Sequence, residues 1–334
     1  MVTPQQHAEA VRAVTASFAA LDRSAPVRLA KSTTNLFRPR ASAAGPGLDV
    51  SGLTGVIEVD PEAGTATVQG MATYETVVAE TLRHGVMPLV VPQLRTITLG
   101  GAVTGLGIES SSFRNGLPHE SVRSMDVLVG TGEVVRAAAE GPHADLFRTF
   151  SNSYGSLGYA VSLTIDVEFV APFVRLRHLA FDDLDALQEA IGQLMTTRAW
   201  AGEPVDFLDG VVFDRTTQVL SVGRFAATAP YASDYTFERI YYRSLRERGD
   251  DYLATRDYLW RWDTDWFWCS RNLGAQNPLI RRLLGRRRLN SIFYQKVMRW
   301  NARWRLGAAL ERVRGQHAES VIQDVDIPLA CAAE

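Results

Sequence analysis

Val11, Val14, Phe18 and Leu21 recur at three- and four-residue spacing, which predicts an amphipathic helix over residues 8–22. The period then shortens to two. Val27-Arg28-Leu29 reads as a short strand running into the polar loop Lys31-Ser32-Thr33-Thr34-Asn35, and residues 56–59 and 65–68 alternate around Pro61 and Gly64 as a hairpin. Thr73 is placed to cap a second helix carrying Tyr74, Val77, Val78 and Leu82, which Gly85 ends, and residues 87–91 resume as strand. Downstream, 125–129 and 133–135 flank the tight-turn signal Gly130-Thr131-Gly132, and 161–170 is a long β-branched run. Beyond Pro172 another helical stripe (Leu184, Leu187, Ile191, Leu194, Met195) precedes strand-like 210–213 and 219–222. The pattern predicts an α+β protein with a domain boundary near residues 171–176 and no internal repeat.

Composition narrows the function classes. At 334 residues and 46% hydrophobic content the chain exceeds what one core usually fills, so two domains are expected. Lys+Arg 35 against Asp+Glu 37 leaves a formal net charge of -2, too little field to grip nucleic acid. The run Arg281-Arg282 with Arg286-Arg287-Arg288 is a local exception, readable as a solvated face or as a contact for anionic lipid or a phosphorylated cofactor. Cys269 and Cys331 are too few for a disulfide framework or a zinc site, which fits a reducing compartment. No window approaches the roughly 18 apolar residues of a membrane span, and residues 1–10 lack a signal-peptide layout. A cytoplasmic location is expected, with peripheral membrane contact as the alternative. The scattered histidines form no metal-binding pair, so no metal site is expected.

The most informative stretch runs from Pro92 to Ser112. Between Thr98 and Ser110 lie Gly100, Gly101, Gly105 and Gly107 among small hydroxyl residues, so the backbone can approach a ligand closely and aim amides at it. A phosphate-bearing cofactor suits such a segment, and a purely structural glycine-rich loop suits it too. It is no Walker loop, because no Gly-Lys-Ser/Thr follows, and no dinucleotide fingerprint, because Gly105-Leu106-Gly107 lacks the preceding parallel strand. A second cluster, Ser153-Tyr154-Gly155-Ser156-Leu157-Gly158-Tyr159, reads alone as a turn.

Taken in order, the hydroxyl-rich loop at 31–35, the Gly-Gly segment at 98–110 and the turn at 155–158 resemble the vanillyl-alcohol-oxidase-type (PCMH-type) FAD proteins. The stretch Thr98-Leu99-Gly100-Gly101 through Gly105-Leu106-Gly107-Ile108-Glu109-Ser110-Ser111-Ser112, with Asp145-Leu146-Phe147 behind, is similar to the delta-24 sterol reductase branch. Phe267-Trp268, Asn277-Pro278-Leu279-Ile280-Arg281 and Val321-Ile322-Gln323-Asp324 ahead of Ile327-Pro328 extend the similarity over about residues 50–334. The resemblance implies a two-subdomain FAD-binding domain at 1–172 and an α+β substrate (cap) domain at 173–334, expected to be incomplete because the family continues beyond Glu334. It implies FAD held along Thr98, Leu99, Gly100, Gly101, Ala102, Val103, Thr104, Gly105, Leu106, Gly107, Ile108, Glu109 and Ser110. Ser32, Thr33, Thr34 and Asn35 of the first loop, and Gly155, Leu157 and Gly158, would close around it. The first loop has no histidine, so the flavin is expected to be non-covalent.

Flavin chemistry asks little of side chains beyond positioning and tuning, which accords with the lack of an evident catalytic triad. The resemblance implies reduction of a carbon–carbon double bond in a sterol-like or other lipid substrate, with NADPH as a candidate electron donor. Oxidation of an alcohol or hydroxy acid, and flavin binding without turnover, are the competing readings. No proton donor is evident; Glu109, His119, Tyr258 and Asp263 are of suitable type, and each reads more readily as an ordinary surface or core polar residue. Asp145 is expected to brace a local turn. The block from Tyr258 to Trp268 is rich in tryptophan, suited to an apolar pocket wall or to a domain core.

Overall fold

The computed structural model describes residues 1–22, 24, 26–30, 46–272, 274–304, 325 and 327–332, the side chains of 266–269, 272 and 302–304 excepted. The first helix, α1 (Pro4–Ala19), starts earlier than the apolar stripe because Thr3 and Gln6 form a reciprocal capping box and Pro4 fits the first turn. Its Val14 and Phe18 are buried against Leu48, Val50 and Leu53.

Six antiparallel strands follow: β1 (Val56–Asp60), β2 (Thr65–Gln69), β3 (Val86–Pro88), β4 (Val122–Leu128), β5 (Val134–Ala138) and β6 (Tyr159–Phe169). They order as β1-β2-β6-β4-β5, with β3 also paired to β6. Between them lie α2 (Tyr74–Thr81), α3 (Leu99–Gly105), α4 (Ser112–Asn115) and α5 (Ala144–Phe150). Both hairpins and the long strand form where alternation places them. Thr73 caps α2 through its hydroxyl, and Gly85, at φ 72°, closes the 3-10 turn that continues it.

Two expected strands are shorter. Val27-Arg28-Leu29 reduces to one parallel bridge between Leu29 and Leu48. Residues 87–91 pair only as Val86–Pro88. Pro88 has no amide to extend a ladder, and the Leu89 carbonyl accepts instead from Ser111 Oγ and Asn115 Nδ2, both at 2.8 Å. Val90 and Val91 stay buried without pairing, so burial alone gave that stretch its strand-like look.

The second sheet orders β10-β11-β7-β12, all antiparallel. Its strands are β7 (Phe173–Phe181), β10 (Phe207–Asp214), β11 (Thr217–Ala226) and β12 (Asp250–Ala254), with α6 (Leu184–Thr197) and the small β8 (Ala199–Trp200)–β9 (Glu203–Pro204) hairpin inserted. The helices α7 (Tyr241–Glu247), α8 (Thr255–Leu259), α9 (Cys269–Asn272), α10 (Pro278–Leu284) and α11 (Ser291–Trp304) complete the chain. Val321-Ile322-Gln323-Asp324 lie outside the described residues. Leu329–Cys331 form a 3-10 turn behind Pro328. Among the described residues no helix is long and apolar enough to cross a membrane.

The first sheet ends at Phe169 and the second begins at Phe173, yet one apolar cluster runs through both, from Val68, Leu163 and Ile165 to Val174, Leu176, Phe207, Tyr241 and Tyr258. Burying each of the larger side chains stabilises the fold by about 1.5–3 kcal/mol. Polar bonds reinforce the junction. Arg95 pairs with Asp263 at 3.0 Å, and Arg114 holds Glu168 with two bonds, at 2.8 and 2.9 Å, while reaching the Asp206 carbonyl.

Candidate functional site

The glycine-rich segment opens as a helix, where a loop was expected. Thr98 caps α3, its hydroxyl accepting from the Gly101 amide at 3.2 Å, and Leu99, Ala102 and Val103 bury one helical face. That cap and face outweigh the poor helix propensity of Gly100 and Gly101. Gly100 is fixed by packing: a Cβ there would sit 2.9 Å from the Gly70 carbonyl oxygen. The amides of Leu99, Gly100, Gly101 and Ala102 all donate within the protein, to Ala72 O, Gly70 O, Thr98 Oγ1 and Thr98 O. The start of α3 is thus occupied by its own fold.

The open portion comes next. A Cβ added at Gly105 or Gly107 would meet nothing within 4 Å. Leu106 takes φ 57°, ψ 167°, a region that glycine normally monopolises, at a cost of order 1–3 kcal/mol. Among the described residues the amides of Gly107 and Ile108 have no acceptor, and the Ile108 side chain is 70% exposed. A strained backbone with unbonded amides and no side chain in the way has the makings of a cradle for an anionic or planar ligand.

Glu109, Ser110 and Ser111 pin this cradle from behind. The Glu109 carboxylate accepts from the Gln93 amide at 2.9 Å, and its own amide donates to Ser112 Oγ at 3.0 Å. Ser110 accepts twice from the second half of the chain: its carbonyl from the Leu208 amide at 2.7 Å, its hydroxyl from Tyr258 Oη at 3.1 Å. Burial pushes the Glu109 carboxyl up to about 8, against the Gln93 hydrogen bond and the Arg261 charge, which favour ionisation. Burial thus favours the protonated form of Glu109.

The turn at 155–158 stands beside α3, because the Tyr154 amide donates to the Thr104 carbonyl at 3.3 Å. Tyr154 and Gly155 have φ of 50° and 83°, and the space beside Gly155 is open. Gly158 has a packing reason, since a Cβ there would lie 2.6 Å from the Leu128 carbonyl oxygen. Tyr154 is 72% exposed and Leu157 39%. The 98–110 and 155–158 segments thus come together, whereas Ser32, Thr33, Thr34 and Asn35 lie outside the described residues.

The other acid candidates separate. Tyr258 is buried against Phe207 with Arg261 stacked 4.0 Å above its ring, and burial raises its phenol beyond ordinary titration. Asp263 is committed to Arg95 and Ser291. His119 sits half-buried on the 3-10 turn Pro118–Ser121. Asp145 pairs with Arg148 at 3.2 Å across the first turn of α5. In the aromatic block, Tyr258 belongs to the core, Trp260 and Trp262 pack against it, and Trp262 meets the Tyr241 ring at 4.9 Å, so these three side with the core reading. The side chains of Trp266, Phe267 and Trp268 lie outside the description.

Arg261 escaped the sequence reading. It is buried, hydrogen-bonded to Asp209 and the Tyr258 carbonyl, and lies over both the Tyr258 and Tyr241 rings. An arginine between two tryptophans was the available signal.

The cradle fits a flavin dinucleotide: open glycines for close approach, unbonded amides for phosphate or ring oxygens, and exposed Ile108, Tyr154 and Leu157 for apolar contact. Comparison with known proteins agrees. A family model described as "FAD binding domain" matches residues 1–138. The Delta(24)-sterol reductase of Arabidopsis thaliana is 26% identical over 236 residues, covering 66% of this chain and 42% of that protein. The human Delta(24)-sterol reductase is 27% identical over 292 residues, covering 84% and 54%. Cytokinin dehydrogenase 4 of Oryza sativa subsp. japonica is 26% identical over 145 residues, covering 43% and 26%. The chain spans about half the length of the sterol reductases it matches. Residues 1–138, which carry the open glycine cradle, are thus similar to the FAD binding domain family.

Proposed function

We propose that the chain is an FAD-dependent oxidoreductase that adds hydrogen across a carbon–carbon double bond of an apolar, sterol-like substrate. Bound FAD supplies the hydride chemistry. The observation that carries the reading is the adjacency, within one short segment, of an open donor-bearing backbone at 105–108 and the part-buried carboxyl of Glu109, whose burial favours its protonated form. Gly105, Gly107 and Gly155 let the cofactor approach, and the amides of Gly107 and Ile108 orient it. Glu109, fixed by the Gln93 amide, delivers the proton that one alkene carbon requires. Ile108, Tyr154 and Leu157 present apolar surface beside the cradle, which suits a greasy substrate.

Residues 1–172 hold the cofactor in this reading and 173–334 supply the substrate side. Attachment is non-covalent, since Ser32-Thr33-Thr34-Asn35 offers no histidine, and a reduced nicotinamide is the electron donor. The names of the sterol reductase relatives support reduction, and that of the cytokinin dehydrogenase supports the reverse direction. Anaerobic titration of the yellow protein separates the two. NADPH or NADH should bleach the flavin absorbance and a sterol-like alkene restore it; bleaching by alcohols or hydroxy acids, with no recovery on adding alkenes, would reverse the assignment.

A further inference from the structure

The helix α10 is built inside out. Its inward residue is Arg281, 2% exposed, whose guanidinium makes two 3.0 Å bonds to Asp265 and also donates to the carbonyls of Phe237, Arg239 and Ala275. Its outward residues are Leu279, 75% exposed, Ile280, 40%, and Leu283, 83%. Spacings of three and four put them on one helical face. Surface helices normally bury the apolar stripe and expose the charge, so this reversal has to be offset by whatever meets the outer face.

The surroundings of that face are basic. Gly285, at φ 66°, ends the helix, and Arg286, Arg287 and Arg288 follow it, all exposed. Arg282 pairs with Glu238 and Arg286 with Asp234. Among the described residues the side chains of Arg287 and Arg288 have no acidic partner. Exposed leucines beside unneutralised arginines complement a surface that is apolar just beneath and anionic on top. A second copy of the chain fits poorly, because two-fold self-association would set one arginine run near the other.

We propose that α10 docks the protein on an anionic phospholipid bilayer, with Leu279, Ile280 and Leu283 entering the interfacial layer and Arg287 and Arg288 meeting lipid phosphates. The docking stands apart from the flavin reading and would hold whatever reaction the cradle serves.

Co-sedimentation of the whole chain with vesicles tests it. Vesicles of phosphatidylcholine with phosphatidylserine should pellet the protein at least about tenfold more strongly than phosphatidylcholine alone, and rising salt should weaken the binding. The double variant L279D/L283D should lose vesicle binding with its melting temperature and circular dichroism unchanged, because both side chains are solvent-facing. R287E/R288E should abolish the preference for phosphatidylserine. Failure to bind either vesicle, or full binding by L279D/L283D, would overturn the proposal. So would concentration-dependent self-association that L279D/L283D abolishes, which would assign the face to a second copy.

Discussion

Glu109, the proposed proton donor, is a part-buried carboxyl whose protonation also bears on stability. Its folded-state pKa is raised, so the folded protein binds this proton more tightly than the unfolded chain. The stability it contributes is complete below about 4.5 and is lost as pH rises through about 8. Replacing Glu109 with Gln should therefore flatten the fall in melting temperature between pH 5 and pH 9, measured against the native protein. The same variant should retain FAD but turn over at least about a hundredfold more slowly, the usual scale of a lost general acid. Native activity should decline as pH rises past 8; an unchanged pH–rate profile in E109Q would remove Glu109 from the chemistry. The sequence pointed to Glu109 only as one acid among four. Singling it out required the Gln93 amide and the Ser110–Tyr258 bond, both of which depend on contacts between distant segments. Arg261 was invisible for the same reason: a charge reads as surface until Asp209 and the Tyr258 carbonyl are seen around it.

Within α3 and the residues that follow, the glycines divide into two physical kinds. A Cβ at Gly100 would lie inside van der Waals contact of a backbone carbonyl, so Gly100→Ala should cost about 1–3 kcal/mol in urea unfolding through overpacking. Gly105 faces open space at the last position of α3, so Gly105→Ala should leave stability equal or slightly higher, by at most about 0.5–1 kcal/mol. An equal loss in both variants would show that the division is wrong. Sequence spacing identified the cluster, but it could not separate packing glycines from open ones. Nor could it show that 99–105 is helical, because the deciding features, the Thr98 cap and the burial of Leu99, Ala102 and Val103, count only once a core exists to receive them. Residues 87–91 taught the converse lesson: burial without pairing imitates a strand. Where alternation had a turn residue to anchor it, as around Gly64 and Gly130-Thr131-Gly132, elements formed where expected.

Across the molecule, the change of texture near Pro172 coincides with the passage from the first sheet to the second. What sequence could not convey is that one apolar cluster spans both sheets, since its members Leu163, Leu176 and Phe207 are far apart in the chain. Calorimetry should accordingly show a single unfolding transition, with fluorescence and circular dichroism midpoints coinciding. Two resolved transitions would indicate separately folding halves. The Leu208–Ser110 bond ties the end of the cradle to β10 of the second sheet and the Tyr258–Ser110 bond ties it to α8, so strain at Leu106 can be sustained by contacts from the second half of the chain.

Titration of flavin-free protein with FAD, followed by fluorescence, bears most directly on the cradle itself. Native protein should take up about one FAD per chain, and Gly107→Leu, whose Cβ would meet no protein atom within 4 Å, should weaken uptake at least about tenfold, about 1.4 kcal/mol, with an unchanged melting temperature. Undiminished FAD uptake by that variant, or none by the native protein, would contradict the assignment.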